Sequence, residues 1–223
     1  MKPLHSSAHA GQKNIRVLIA DDHAIVRAGL KQIIADTSEL TVAGESEDGL
    51  GTIRMLRARS YDVVLLDISL PDKNGIDVLK QIKSEYPKLP VLMLSMYRED
   101  QYAIRALKAG ASGYLNKQSA TAELVDAVHV VASGRKYITP ALAQELARQI
   151  GEDSNKLPHE NLSDREFQTM ILIASGNSVT DIANTLTLSV KTISMYRSRL
   201  LQKMHLRHNG ELTYYAMQHQ LVC

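Results

Sequence analysis

Apolar runs and amphipathic segments alternate along the first 134 residues, and this alternation constrains the fold more than any other feature of the chain. Five short runs have β-strand character, and a segment with apolar residues at helical spacing follows each of them. Such an alternation predicts a doubly wound α/β fold, in which a five-stranded parallel sheet carries helices on both faces, joined by right-handed crossovers. The runs are residues 15–20, 40–44, 63–66, 91–95 and 113–115.

A second, all-α domain follows, because no strand pattern occurs after Leu162 and the remaining residues are helical in pattern. A helix opens at Thr139-Pro140, with Thr as the N-cap and Pro in the first turn. The polar, turn-rich stretch 151–158 is the predicted linker. The predicted divisions are a disordered tail at 1–14, the α/β domain at 15–134, a helix and linker at 135–160, and the helical domain at 161–223.

The composition excludes some classes of protein. The formal net charge of +2 argues neither for nor against nucleic acid, so the distribution of charge must decide. Cys223 is the one cysteine, so no disulfide can form within the chain. No apolar run approaches the roughly 20 residues of a membrane span, and the first fourteen residues lack the apolar centre of a secretory signal. We therefore expect a cytoplasmic protein that does not bind membranes.

Five polar side chains lie at the carboxyl ends of predicted strands: Asp21 and Asp22 after the first, Asp67 after the third, Ser95 at the end of the fourth and Lys117 after the fifth. Because these strand ends share one edge of a parallel sheet, we expect the side chains to converge. Clustered carboxylates repel one another unless a cation neutralises them, and their oxygens suit Mg²⁺. A carboxylate beside Mg²⁺ can attack phosphorus, while an ammonium and a hydroxyl stabilise the phosphoryl oxygens. Each residue alone is more often a cap or a solvated surface group, so the prediction depends on the five positions together.

The same residues resemble the receiver domain of two-component response regulators, over about residues 15–133. The matching positions are Asp21-Asp22, Asp67 with Leu70-Pro71 and Gly75, Ser95, Tyr114 and Lys117. One departure is Gln118, which follows Lys117 where receivers often have Pro and which makes a cis peptide bond there more costly.

The resemblance implies roles for these residues. Asp67 would accept a phosphoryl group from a sensor histidine kinase. Asp22, Asp67 and the backbone carbonyl of Ser69 would hold Mg²⁺, and Asp21 would act through a water molecule. Ser95 would move toward the phosphate, and Tyr114 would turn inward to fill the space, so that a switch built from Ser95, Tyr114 and Lys117 reads the phosphoryl group.

The helical domain contains two helices around the short turn Thr187-Leu188-Ser189, which is the spacing of a helix-turn-helix. No acidic residue occurs between Asp181 and Glu211, so the local field is positive and favours DNA phosphates. The alternative is a small helical bundle whose basic face is only solvated. The predicted core positions are Ile182, Ala183, Leu186, Val190, Ile193 and Leu200.

The helical domain resembles the LuxR-type DNA-binding domain over about residues 160–221, so that the whole chain is similar to NarL/FixJ-type response regulators. The stretch 196–199 and the segment 211–213 look most like the GacA/UvrY branch. The matching residues are Leu162-Ser163, Arg165-Glu166, Gly176-Asn177-Ser178, Ile182-Ala183, Leu186, Ser189 to Ile193, Lys203-Met204 and Glu211-Leu212.

This second resemblance implies a recognition helix over residues 190–204 and dimer contacts on the last helix. The residues that would grip phosphates are Lys191, Thr192, Arg197 and Lys203. Those at base-reading positions are Ser194, Met195 and Ser198, and those at the dimer contact are Leu212, Tyr215 and Ala216.

The sequence thus predicts a phosphorylation-controlled, DNA-binding transcriptional regulator. Its expected partners are a sensor histidine kinase, double-stranded promoter DNA, RNA polymerase and, on activation, a second copy of the chain. Two alternatives stay open: a phosphohydrolase that uses an aspartyl-phosphate intermediate, and a DNA-binding regulator that is not phosphorylated. Against the first, Ser69 stands where a second carboxylate would follow Asp67 at two residues.

Overall fold

The computed structural model describes residues 14–96, 99–151 and 157–222. The predicted tail, except Asn14, and most of the predicted linker lie outside the described residues, as does Cys223. The α/β domain follows the predicted alternation, with β1 (Ile15–Ala20), α1 (Ala24–Ala35), β2 (Leu40–Ser46), α2 (Gly49–Ala58), β3 (Val63–Asp67), α3 (Gly75–Glu85), β4 (Val91–Ser95), α4 (Glu99–Lys108), β5 (Gly113–Asn116) and α5 (Ala120–Ala132).

The sheet is parallel throughout its five strands, in the order β2-β1-β3-β4-β5. The chain order reverses between β1 and β3, and open α/β sheets bind ligands outside the strand ends at such a point. Every residue of β3 is buried, because helices cover both faces of the sheet. The predicted doubly wound fold is confirmed.

Glycine is required at two positions of this domain, one where a helix begins and one where a helix ends. A Cβ atom on Gly75 would lie 2.0 Å from the carbonyl oxygen of Asp67, so no larger residue fits where α3 begins beside the end of β3. Gly110 has a φ of 101° and ends α4, as the sequence predicts for a C-terminal glycine cap.

The rest of the chain is helical, with α6 (Pro140–Gly151), a 3₁₀ turn (Pro158–Asn161), α7 (Asp164–Ala174), α8 (Val179–Thr185), α9 (Val190–Lys203) and α10 (Asn209–Gln218). Ser163 and Glu166 form the predicted capping box at the start of α7. Ser178 and Asp181 form a second one at α8, which the sequence analysis missed. Val190 is 48% exposed, contrary to its predicted core position, because it is the first residue of α9 after the Ser189 cap.

The two domains pack against each other through one face of the α/β domain. Two clusters of buried apolar residues lie on opposite faces of the sheet, and the one beneath α2, α3 and α4 is continuous with the core of the helical domain. Tyr102 on α4 meets Phe167 on α7 edge to face, with ring centroids 5.2 Å apart. Helix α6 also lies on α4. The helical domain is therefore docked on the α3–α4 side of the sheet.

Candidate phosphoacceptor site and nucleic-acid interface

Three carboxylates and one ammonium group meet at the carboxyl end of the sheet. Asp67 ends β3, and Asp21 directly follows β1, which pairs with β3. One ligand atom each from Asp21, Asp22, His23 and Asp67 lie within 4.8 Å of one another. Lys117 Nζ lies 2.7 Å from Asp21 Oδ2 and 2.9 Å from Asp67 Oδ2. The geometry thus places the predicted carboxylates and lysine at one point.

The electrostatics of this cluster favour a further cation. Burial raises the pKa of the Asp67 carboxyl group, Lys117 lowers it in part, and nearby Asp21 adds to the rise. Burial opposes the charge on Lys117, but the carboxylates of Asp67 and Asp21 raise the pKa of that lysine. One ammonium therefore does not compensate the buried carboxylates fully. Carboxylate oxygens whose negative charge is compensated only in part fit Mg²⁺, which prefers hard oxygen ligands.

The predicted switch residues lie around this cluster. Ser95 ends β4 and pairs in register with Asn116 on β5, and its carbonyl accepts a 2.8 Å hydrogen bond from Lys117 N–H. Tyr114 is fully buried. No cis peptide bond occurs among the described residues, and Lys117 reaches both carboxylates although Gln118 follows it.

The phosphoacceptor loop, residues 68–75, joins Asp67 to α3 and is anchored by its own side chains. The backbone of Ser69 lowers the pKa of the Asp67 carboxyl group and so opposes part of the effect of its burial. Asp72 accepts hydrogen bonds from the first N–H groups of α2, at 2.7 and 2.8 Å. Asn74 Oδ1 accepts one from Ile76 N–H at 2.8 Å and thereby caps α3. The loop beside the candidate acceptor is thus held at several points.

Two residues of this region were missed in the sequence analysis. His23 Nδ1 lies 2.7 Å from Asp22 Oδ1, and its position directly after the Asp pair was the available signal. Arg27 is buried, donates a 2.7 Å hydrogen bond to the carbonyl of Asp21 and pairs with Glu47 at 2.5 Å. Arg27 lies three residues before the buried Leu30, so its place on the inner face of α1 could have been read from the helical period.

Helix α9, the predicted recognition helix, exposes most of the side chains that were predicted to contact DNA. Lys191, Ser194, Met195 and Ser198 are exposed in the docked chain. Thr192 is half-buried, and its N–H and hydroxyl both bond Ser189 Oγ at the helix start. These side chains form one surface that the receiver does not cover.

Two of the predicted phosphate-gripping residues bond within the helical domain. Lys203 Nζ lies 2.6 Å from Oε2 of the buried Glu166, and this contact lowers the pKa of Glu166 against the effect of its burial. Arg197 Nε donates a 2.6 Å hydrogen bond to Asn209 Oδ1. Both side chains therefore brace α9 against neighbouring helices, and a phosphate would compete with these partners.

Helix α10 presents a different face from the one predicted for dimer contacts. Leu212 and Ala216 are fully buried in the core of the helical domain, and Tyr215 Oη bonds His159 Nδ1 at 2.8 Å. The choice of Leu212 and Ala216 as contact residues is corrected, because an inward face cannot meet a second copy. The exposed face carries Tyr214 and Met217, which are 70% and 55% exposed.

Comparison with known proteins identifies the class of protein that this fold and site define. The response regulator receiver domain matches residues 17–129, and the luxR family of bacterial regulatory proteins matches residues 160–216. The chain is a response regulator of the two-component family, with a receiver and a LuxR-type DNA-binding domain, and it functions as a phosphorylation-controlled, DNA-binding transcription regulator.

Among individual proteins, the chain is similar to response regulators UvrY and GacA, which confirms the predicted branch. It is 37% identical over 208 residues to UvrY of Escherichia coli O6:H1, covering 93% of this chain and 95% of that one. It is 35% identical over 209 residues to GacA of Pseudomonas viridiflava, covering 93% and 98%.

Solved structures of RcsB from Salmonella typhimurium share the fold. One, described in terms of conformational dynamism for DNA interaction, matches with a TM-score of 0.65 and 28% identity, covering 92% of this chain and 98% of that one. Another is RcsB bound to a promoter in the presence of the phosphomimetic BeF₃⁻, with a TM-score of 0.62, 28% identity and coverage of 91% and 98%. Within the described residues of the present chain, none of the helices has the length and apolar character needed to cross a membrane.

Proposed function

We propose that Asp67 is the phosphoacceptor and that Mg²⁺ is held by Asp22, Asp67 and the backbone carbonyl of Ser69, with Asp21 acting through a water molecule. The observation that carries this proposal is the contact of Lys117 Nζ with both Asp21 and Asp67 at the end of a buried sheet. The donor is the phosphohistidine of a sensor histidine kinase. An Asp67 oxygen forms a bond to phosphorus as the bond from phosphorus to the histidine nitrogen breaks, and that nitrogen keeps the electron pair.

The residues around Asp67 each have a part in this transfer. Lys117 offers positive charge to the phosphoryl oxygens, and Ser95 offers a hydroxyl donor from the neighbouring strand end. The bound metal would supply further charge neutralisation at the same oxygens. Burial of the site excludes bulk water, so these interactions act in a medium of low dielectric constant.

Intact mass tests the assignment of Asp67. The full-length chain, incubated with acetyl phosphate and Mg²⁺, is expected to gain one phosphoryl group of about 80 Da. The Asp67→Ala variant is expected to gain none, and the matched Asp77→Asn variant, whose carboxylate lies on the exposed side of α3, is expected to gain the same mass as wild type. A gain that survives in Asp67→Ala would show that another residue is the acceptor.

We further propose that phosphorylation loosens the docked arrangement and allows two copies to bind promoter half-sites about one helical turn apart. The exposed face of α10, with Tyr214 and Met217, would carry the contact between copies. Lys191, Thr192, Arg197 and Lys203 would contact phosphates, while Ser194, Met195 and Ser198 would face base edges. Such a regulator works in the cytoplasm, where RNA polymerase meets the same promoters.

DNA titration tests this second part. Lys191→Ala should weaken binding to all sequences and reduce the salt dependence, whereas Ser194→Ala should change the preference between sequences. With BeF₃⁻ and Mg²⁺, the full-length chain should bind with the stoichiometry of a dimer. Equal affinity and equal stoichiometry with and without BeF₃⁻ would contradict the coupling of phosphorylation to DNA binding.

A further inference from the structure

The phosphoacceptor loop touches the DNA-binding domain directly. Asn74 Nδ2 donates a 3.2 Å hydrogen bond to Gln168 Oε1, and Gln168 Nε2 lies 3.5 Å from Ser69 Oγ. Arg165 Nη2 donates a longer bond, at 3.4 Å, to the carbonyl of Leu70. Two side chains of α7 therefore contact three residues of the loop that carries the candidate acceptor.

Gln168 itself is held in place. Its side chain is fully buried, as is that of Asn74, and Arg165 Nη1 donates a 2.9 Å hydrogen bond to Gln168 Oε1. Buried amides of this kind have few other partners, so their geometry responds to small movements of their neighbours. A shift of the loop would leave these groups unpaired unless α7 moved with it.

Ser69 joins this contact to the reacting group. It follows Asp67 by two residues in the chain, and its hydroxyl oxygen lies 3.5 Å from Gln168 Nε2. One residue therefore separates the candidate acceptor from the DNA-binding domain. The contacts from the phosphoacceptor loop to α7 involve neither Ser95 nor Tyr114.

We propose that Gln168, held by Arg165, is a positioning residue for the phosphoacceptor loop, and that it fixes Ser69 in the resting arrangement. Formation of the phosphorylated centre changes the charge and the size of the group at Asp67, two residues before Ser69, and so acts against the bonds between the loop and Gln168. This inference rests on the proposed function, in which phosphorylation loosens docking. Coupling between two binding events is reciprocal, so docking of α7 must then weaken the binding of a phosphoryl group by the same factor.

The test is a titration of Mg²⁺ into the full-length chain in excess beryllofluoride, followed by calorimetry and by ¹⁹F NMR of the bound anion. Gln168→Met keeps the volume and removes the hydrogen bonds, and it should tighten binding by roughly threefold to tenfold, the worth of one net hydrogen bond. Unchanged or weaker binding overturns the proposal. Circular dichroism checks the fold, and Gln168→Leu replaces the Met variant if that one unfolds.

A double-mutant cycle separates the Ser69 route from docking in general. Lys80→Met is the matched control, because it removes the 2.7 Å contact between the domains, Lys80 to Asp164, without touching the loop. In a Ser69→Ala background, the gain in beryllofluoride affinity caused by Gln168→Met should shrink to the gain caused by Lys80→Met. The gain caused by Lys80→Met should be the same with and without Ser69→Ala. An effect of Gln168→Met that is undiminished by Ser69→Ala overturns the route through Ser69.

The outcomes also separate this inference from the proposed function. A wild-type chain that binds beryllofluoride with Mg²⁺, but with an affinity that Gln168→Met leaves unchanged, overturns the positioning role alone. A wild-type chain that binds no beryllofluoride at all overturns the assignment of the acceptor site and the inference together.

Discussion

Replacement of Arg105 by Ala should open the docked arrangement of the two domains. Arg105 lies on α4 of the receiver, and its guanidinium contacts the helical domain on several sides. It donates hydrogen bonds to the carbonyls of Leu162 at 2.9 Å and His159 at 2.5 Å. It also lies 3.4 Å from Asp164 Oδ1 and 4.1 Å from the centroid of the Phe167 ring.

The size of the effect follows from these contacts. A hydrogen bond from a charged group contributes about 1.5–3 kcal/mol, and a partly desolvated cation–π contact contributes about 1 kcal/mol. In the open form, water solvates the guanidinium and the two carbonyls, which offsets much of the sum. We expect a net loss of about 2–3 kcal/mol, which lowers the docking equilibrium constant by a factor of roughly 30 to 150.

Small-angle X-ray scattering of the full-length chain measures this opening as an increase in the radius of gyration. The matched control is Arg57→Ala, which removes an exposed ion pair with Glu85 on the receiver and should leave the radius unchanged, because exposed pairs contribute little. If Arg105→Ala keeps the wild-type radius of gyration, and its affinity for Mg²⁺ with beryllofluoride is also unchanged, the reasoning is refuted.

Three further predictions concern stability. Asp67→Asn should raise the melting temperature at pH 7 without Mg²⁺, because the pKa of Asp67 is raised in the fold and its ionisation is therefore destabilising; a lower melting temperature by calorimetry would contradict this. Burial, with the charges of Arg105 and His219, lowers the pKa of His159 from 6.5 to about 4. The contribution of the neutral imidazole to the free energy of unfolding should therefore be complete above pH 6.5 and fall by on the order of 2 kcal/mol as the pH drops to 4. Urea melts of His159→Gln should not show this fall. Ser163→Ala removes the capping box of α7 and should cost about 1 kcal/mol in urea unfolding, whereas an unchanged midpoint would show that the cap contributes nothing.

The receiver could be predicted closely because its strands carry both signals that define such a fold. Val63 to Leu66 form an apolar run with no alternation, which is typical of a strand buried on both faces. The proximity of the polar residues that follow these strands is then a consequence of topology alone, since the carboxyl ends of parallel strands share an edge. Convergence of Asp21, Asp67 and Lys117 therefore required no knowledge of side-chain positions.

Contacts between the domains could not be predicted, because they depend on how two separately patterned units meet. In α7, Arg165 and Gln168 have the composition of a solvated helix face, yet both are buried against the receiver. Similarly, Ile25 is apolar and at helical spacing, but it is 88% exposed in the first turn of α1. Periodicity shows which residues share a face, whereas burial of that face depends on its partner.

The same limit explains the error on α10. An apolar face on the last helix was assigned to a second copy, but Leu212 and Ala216 complete the core of their own domain. A domain of this size buries a large share of its apolar residues internally, so an apolar helix face is first a candidate for its own core.

The open face of α9 has a consequence for how such a regulator would search a genome. Lys191 and the predicted base-reading positions Ser194 and Met195 remain exposed while the domains are docked. A resting copy can therefore associate with DNA through phosphate attraction and slide along it before any signal arrives. In the proposed function, docking restricts the geometry in which a second copy joins the first. On this basis, a signal would act on molecules that are already distributed along the chromosome, and the response time would depend on local pairing rather than on diffusion to the promoter.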